Sequence, residues 1–242
     1  NPSSFPLMLE PLLLPNKIQF TRGDRPHEGV LVVEPCTQGY GTTLGNALRR
    51  VLLSSLPGAA VIAVRIKGVD HEFSTAPHIK EDILEIILNL KLLRAKVFSD
   101  EPIKLSLSVK EARAITAADF SKDALVEIVN PDLHIATLTE SSGSFDMEVW
   151  IGKGRGYRPT EERLKEKLEL GTIAVDALYS PVVNVSYKVE ATRVGDKTDY
   201  DKLVLKIETD GSLDPIDAVN QGVGILNDYV NVLKDVSYTE AA

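Results

Sequence analysis

The segment from Thr43 to Leu56 reads Thr-Leu-Gly-Asn-Ala-Leu-Arg-Arg-Val-Leu-Leu-Ser-Ser-Leu and constrains the fold more than any other part of the chain. At about 100° per residue, Leu44, Ala47, Leu48, Val51, Leu52, Ser55 and Leu56 fall on one broad stripe. A stripe this wide needs a core to bury against. The opposite face carries Asn46, Arg49, Arg50 and Leu53, so Leu53 is expected outside the stripe with an arginine on either side. Arginines beside bulky apolar side chains are what protein contacts are built from. A helix buried on all sides, or a lone exposed leucine, fits the same pattern.

The rest of the chain is an ordinary globular sequence of 242 residues, 43% hydrophobic and 26% charged, which allows one large core or two modest ones. Its formal net charge of −8 gives no overall pull toward nucleic acid. The single Cys36 cannot form an internal disulfide and fits a reducing compartment. No apolar run has the length of a membrane span. The leucine-rich start, Leu7 to Leu14, is broken by Glu10 and Pro11 and lacks a basic leader, so no signal peptide is expected there.

Strand-like runs are expected at Lys17–Thr21 and Val30–Glu34, with a turn over Arg22–Pro26 between them. Gly39-Tyr40-Gly41 leads into the first helix, which Thr42 or Thr43 caps and Pro57-Gly58 ends. Val61–Ile66 alternates as a strand. Ile83, Ile86, Ile87 and Leu90 predict a second helix over Ile79–Lys91, with Lys80, Glu81, Glu85 and Lys91 on its other face. Ile103–Val109, Leu125–Val129, His134–Leu138 and Phe145–Ile151 read as β-strands. Gly152–Leu170 reads as a loop with a short solvated helix. Val183–Val194 and Lys202–Thr209 flank Gly195-Asp196 as a hairpin. Asp214-Pro215 then opens a last helix in which Ile216, Val219, Val223, Leu226, Val230 and Leu233 form a heptad-like seam. Gly222 and Gly224 within it suggest close approach of another backbone; the seam suits packing inside the subunit or across a dimer.

Catalytic chemistry is hard to find. His27, His71, His78 and His134 show no metal-motif spacing, and Cys36 adds no ligand set. Gly152-Lys153-Gly154-Arg155-Gly156-Tyr157 resembles a phosphate-cradling loop without the Walker spacing or its Lys-Ser/Thr ending. Acidic residues at Glu81, Asp82 and Glu85 suit a helix dipole.

Several segments, in order, resemble the N-terminal domain of the bacterial DNA-dependent RNA polymerase alpha subunit. They are Gly39–Ser55, His71–Thr75, Lys80–Lys91, Gly154–Tyr157, Val175–Val182, Val189–Val194, Thr198–Leu203 and Asp214-Pro215. The resemblance implies an α+β fold of two subdomains. Residues 1–57 and 180–242 would form an α/β dimerisation domain, and residues 58–179 a mostly β domain inserted into it.

It also implies roles. Leu44, Leu48, Val51 and Leu52 of the first helix, with Val219, Val223, Leu226, Val230 and Leu233 of the last, would pack across a two-fold axis in a homodimer. One copy would hold the beta subunit near Arg49, Arg50 and Leu53. The other would hold beta-prime near Glu85, Lys91, Val175, Val182 and Lys202. Omega and sigma would join the same complex, and DNA contact would come mainly through it. The resemblance implies a non-catalytic subunit with no cofactor in this chain, magnesium and zinc residing in the large subunits, and a cytoplasmic, nucleoid-associated place. A stand-alone nucleotide or small-molecule enzyme using the Gly152–Tyr157 segment is the competing expectation. Direct DNA binding is a third, against which the net charge argues.

Overall fold

Antiparallel pairing between the two ends of the chain builds the first layer of the structure. The computed structural model describes residues 12–163 and 169–235. Strands β1 (Lys17–Arg22) and β2 (Glu28–Cys36) lead into helix α1 (Tyr40–Ser54), and β3 (Pro57–Ile66) leads on to helix α2 (Ile83–Lys91). Next come β4 (Ala95–Val97), β5 (Ile103–Val109), β6 (Ala114–Thr116), β7 (Val126–Ile128), β8 (His134–Thr137) and β9 (Phe145–Arg155). β10 (Tyr157–Arg158), β11 (Ile173–Ala174) and β12 (Ala177–Leu178) precede the long hairpin of β13 (Val182–Val194) and β14 (Lys197–Thr209), and helix α3 (Pro215–Val232) ends the series.

The first sheet runs β1-β2-β14-β13, antiparallel throughout. Period-2 alternation sends Leu31 and Val33 of β2 inward, where they meet Leu203, Leu205 and Ile207 of β14. α1 packs on β13 and β14 and α3 packs on α1, so Leu48, Leu52, Ala218 and Val219 complete that core. The hairpin turn is Gly195-Asp196, with Val194 paired to Lys197 and Gly195 at φ +61°.

A second sheet, β11-β3-β9-β5, lies under α2. Ile83, Ile86, Ile87 and Leu90 bury there with Val64, Leu105, Val149 and Ile151, as the helical spacing predicts. A small cluster of Ala60, Ile62, Ala177 and Tyr179, with Trp150 against it, forms beside this core. Arg94 Nε lies 3.4 Å from Asp210 Oδ2 with both side chains largely buried, and this pair ties the chain after α2 to the end of β14. Helices and antiparallel sheets together make the α+β class that the sequence predicts.

Local boundaries differ in instructive ways. α2 begins at Ile83, with the Asp82 carboxylate accepting from Glu85 N–H at 2.7 Å, four residues later than the sequence suggests. Glu81 is therefore not on the helix. It is buried and accepts from Thr137 N–H (2.6 Å) and the Thr137 hydroxyl (2.8 Å), with His134 Nε2 at 2.9 Å. Pro57-Gly58 is already β-strand. Of the segment read as a loop with a solvated helix, Gly152–Arg155 belongs to β9 and Thr160–Arg163 forms one 3-10 turn. Residues 164–168, and Leu7 to Pro11 of the leucine-rich start, lie outside the described residues.

Candidate assembly surfaces

α1 is held at its N-terminus by another element. Gly39, at φ +89°, provides no side-chain cap. Instead Asp201 of β14 accepts from Gly39 N–H at 2.9 Å and Gly41 N–H at 3.1 Å through one oxygen. Two of the donors that a helix start leaves unpaired are met this way. Thr43, expected as a cap, donates its hydroxyl back to the Gly39 carbonyl at 3.1 Å.

The buried line of α1 runs Gly41, Gly45, Leu48, Leu52. A Cβ at Gly45 would lie 2.6 Å from Tyr187 Cδ2, so the helix lies directly on β13. This rotates the contact face away from the stripe drawn through the larger residues: Leu44 is exposed and Ala47 and Val51 are only half-buried. The expectation that Leu53 stands free between arginines is corrected by the same rotation. Leu53 packs against the first core, and its carbonyl accepts the Ser180 hydroxyl at 3.2 Å. Arg49 and Arg50 are both exposed; Arg49 Nε donates to the Val185 carbonyl at 3.1 Å, pinning α1 to β13.

α3 starts as its sequence predicts, with Asp214 accepting from Ile216 N–H at 3.1 Å and Pro215 in the first turn. Val219 is in the core and Leu226 is half-buried. Ile216, Val223, Val230 and Leu233 are 44%, 49%, 56% and 67% exposed, and Tyr229 and Val232 stand out further beside them. Leu48 and Leu52 bury in their own subunit. The apolar surface left uncovered on the two helices is thus Tyr40, Leu44, parts of Val51 and Leu53, and the outer line of α3.

Residues expected at a second partner divide between the two cores. Lys91 Nζ lies 2.9 Å from Asp176 Oδ2, and Asp176 Oδ1 accepts from Thr160 N–H at 2.9 Å. The Lys91 ammonium first, and then the Thr160 N–H, hold the Asp176 carboxyl below the usual aspartate range. Val175, next in sequence, is buried, and its N–H donates to the Ile62 carbonyl. Glu85 is exposed on α2. Val182 is buried in the other core, and Lys202 sits opposite Glu190 on the hairpin. The ladder places Val182 and Lys202 roughly 27 Å apart at about 3.4 Å per residue. Lys91 and Val175 are brought together; Val182 and Lys202 are not. Sequence reading passed over Leu84, Leu88 and Leu92, exposed at four-residue spacing around α2, although that spacing is plain in the sequence.

The glycine-rich segment is not a phosphate cradle. Gly152 to Arg155 pair with Ala60 to Pro57 in the β3 ladder, which commits backbone donors that a phosphate would need. The Tyr179 ring covers Gly154, 2.5 Å from where a Cβ would stand. Cys36 is buried, and burial, with Asp201 nearby, pushes its thiol pKa up. Among the described residues no group of three or more His, Cys, Asp or Glu side chains is placed to hold a metal.

Residues 64–180, from within β3 to just before β13, match the RNA polymerase Rpb3/RpoA insert domain. The chain is 50% identical over 204 residues to a DNA-directed RNA polymerase subunit alpha of Oceanobacillus iheyensis, covering 84% of this chain and 65% of that one. The chain belongs to the bacterial RNA polymerase alpha-subunit family. A DNA-directed RNA polymerase subunit alpha of Alkaliphilus oremlandii is likewise 50% identical over 204 residues, covering 84% of this chain and 64% of that one. This alpha-family chain therefore spans just under two thirds of the length of these relatives. None of its described helices is long and apolar enough to cross a membrane.

Proposed function

We propose that this chain is the assembly part of an RNA polymerase alpha subunit, a non-catalytic scaffold that dimerises and gathers the large subunits. The observation that carries the dimer is the uncovered apolar line of Val223 and Val230 on α3, continued by Leu233 in the turn just after it. Left in water it would be an association liability; against a second copy it becomes a two-fold helix interface. Residues 1–57 and 180–242 serve as the dimerisation domain and residues 58–179 as the insert. A symmetric dimer presents each surface twice, and two unlike partners use one copy each. Beta is taken at the outer end of α1, with Arg50 the exposed contact there. Beta-prime is taken on the other copy around Glu85 and Lys91, with Lys202 on the hairpin. The buried Val175 supports the Lys91 side of that surface from beneath, whereas Val182 lies in the other core, far along the hairpin from Lys202.

Phosphodiester chemistry, magnesium and zinc then belong to the large subunits, with no cofactor in this chain. Omega and sigma join the same complex, DNA is reached through it, and the setting is the cytoplasm, at the nucleoid. Sedimentation equilibrium tests the dimer: the chain should sediment as a dimer, and Val230→Asp should weaken it about thirtyfold or more. A monomeric wild type sinks the dimer. Copurification tests capture: Arg50→Ala should remain a folded dimer but take beta poorly, and normal capture would remove that role from Arg50.

A further inference from the structure

Two chain crossings join the first core to the insert, one from α1 into β3 and one from β12 into β13. They lie side by side. Gly58, just past the first crossing, has no room for a Cβ against the carbonyl of Tyr179, just before the second, and a Cβ there would also stand 3.2 Å from Pro181 Cδ. Two adjacent crossings make a hinge line about which one part can turn on the other. Elsewhere each helix and strand packs broadly only on elements of its own core. Beside the crossings an open cleft of about 540 Å³ has Ala95 and Phe98 of the insert on one side and Leu213 and Gln221 of the first core on the other.

Among the described residues one ion pair joins the two parts, at the edge of this cleft. Arg94 Nε lies 3.4 Å from Asp210 Oδ2. Arg94 is fixed to the insert: its N–H donates to Asn130 Oδ1 at 2.8 Å, and its carbonyl accepts from Val129 N–H at 2.8 Å. Asp210 is fixed to the first core: its N–H donates to the Pro181 carbonyl at 2.9 Å, and its Oδ1 accepts from Ser212 N–H at 2.9 Å. Each charge is therefore held by its own part, and only 8% of the Asp210 side chain is exposed. With Arg94 present the carboxylate is compensated. Without it, the same angle buries a lone carboxylate, which water reaches only if the insert turns away.

The surface proposed for beta-prime makes this angle matter. Glu85 and Lys91 come from α2 in the insert and Lys202 from the hairpin of the first sheet, so its two halves stand on opposite sides of the hinge. Arg94 follows Lys91 closely, and its Nη1 donates to the Lys91 carbonyl at 3.4 Å.

We infer that Arg94 and Asp210 are positioning residues, whose buried pair latches the insert at one angle to the first core and so presents the two halves of the beta-prime surface as one. The inference rests on the assembly reading for its partner, but not for the latch itself.

The test places nitroxide labels at Leu88→Cys on α2 and Lys206→Cys on β14, both exposed sites. Labelled protomers are diluted into unlabelled ones, so that each distance lies within one subunit. Wild type should give one narrow distance distribution. Arg94→Met, and Asp210→Asn, which keeps an acceptor for Ser212, should each broaden it about twofold or more with the dimer intact. Arg94→Lys restores the charge and should narrow it again. The double variant Arg94→Met with Asp210→Asn should be no broader than the broader single variant, because the two residues act as a unit. Binding of beta-prime to the unlabelled alpha–beta complex should weaken about tenfold in Arg94→Met, the loss expected when the binding angle falls to about a tenth of the population. If Arg94→Met melts early, Arg94→Gln replaces it. A distribution as narrow as wild type in Arg94→Met and Asp210→Asn overturns the inference, whatever becomes of the assembly reading. A broadened distribution with beta-prime binding within twofold of wild type overturns it as well. Wild type that takes no beta-prime, with the distances behaving as expected, supports the latch and removes the assembly reading.

Discussion

Gly222 and Gly224, two positions apart on α3, meet different surroundings. A Cβ at Gly222 would stand 2.9 Å from Leu52 Cδ2, a side chain with no exposed surface, whereas a Cβ at Gly224 would meet nothing within 4 Å. The sequence suggests close approach at both, and the structure places it at the first. Alanine is favoured over glycine inside a helix by about 1 kcal/mol. Gly224→Ala should therefore raise the stability of the isolated subunit by about that amount. Gly222→Ala should lower it by roughly 1–2 kcal/mol, because overpacking a filled core outweighs the helical gain. Urea denaturation of both variants at equal protein concentration measures the difference; equal effects would show that α1 and α3 give way easily at their crossing.

At the level of elements, α1 depends on β14. Asp201 reaches across to the two glycine N–H groups at the helix start, and no residue near the helix in sequence does the same work. Asp201→Ala should cost about 1–2 kcal/mol, within the range of a lost cap, and should raise hydrogen exchange first in the opening turn of α1. Exchange unchanged at Gly41 and Thr42 would rule out the capping role. Such a cap cannot be read from sequence, since the carboxylate lies far along the chain. Strand alternation and the spacing of Ile83, Ile86, Ile87 and Leu90 are local, and these were legible. The Leu53 expectation failed because glycines carry no weight in an apolar count, yet Gly41 and Gly45 decide which side of α1 lies against the sheet. The glycine-rich run after Ile151 misled for a related reason: Gly154 is small because Tyr179 lies over it, not because the chain must be free there. The outer line of α3 was the part of the candidate surfaces most readable beforehand, because a heptad-like spacing marks a stripe whether or not its partner is present.

For the whole molecule, carboxylates set the acid limit of stability. The Lys104 ammonium and then the Arg65 guanidinium hold Glu148 below the usual glutamate range; Arg113 does the same for Asp119 and Lys91 for Asp176. A carboxyl whose folded pKa lies below its unfolded one contributes fully above the unfolded value, and that contribution is lost as pH falls through the folded value. Stability should thus hold from neutral pH to about 5 and decline below about 4. Asp119→Asn should be less stable than wild type at neutral pH and converge with it in acid. A constant difference across the range would remove the ion pair from the account.

The first sheet joins strands from both ends of the chain, with Leu31 of β2 opposite Leu205 of β14 and the whole second core threaded between them. Folding has an order as a result. Contacts within the second core close shorter loops than those of the first sheet, so they should form sooner. Pulse-labelled hydrogen exchange during refolding should protect Ile86 and Leu90 before Leu31 and Val33, and simultaneous protection would refute that sequence of events. Until the long hairpin arrives, the buried line of α1 and the edge of β2 stay uncovered and open to wrong partners. α3, the helix proposed here for the dimer, follows β14 and seats Ala218 and Val219 on the first core, so recruitment of a second copy should wait until that sheet has closed.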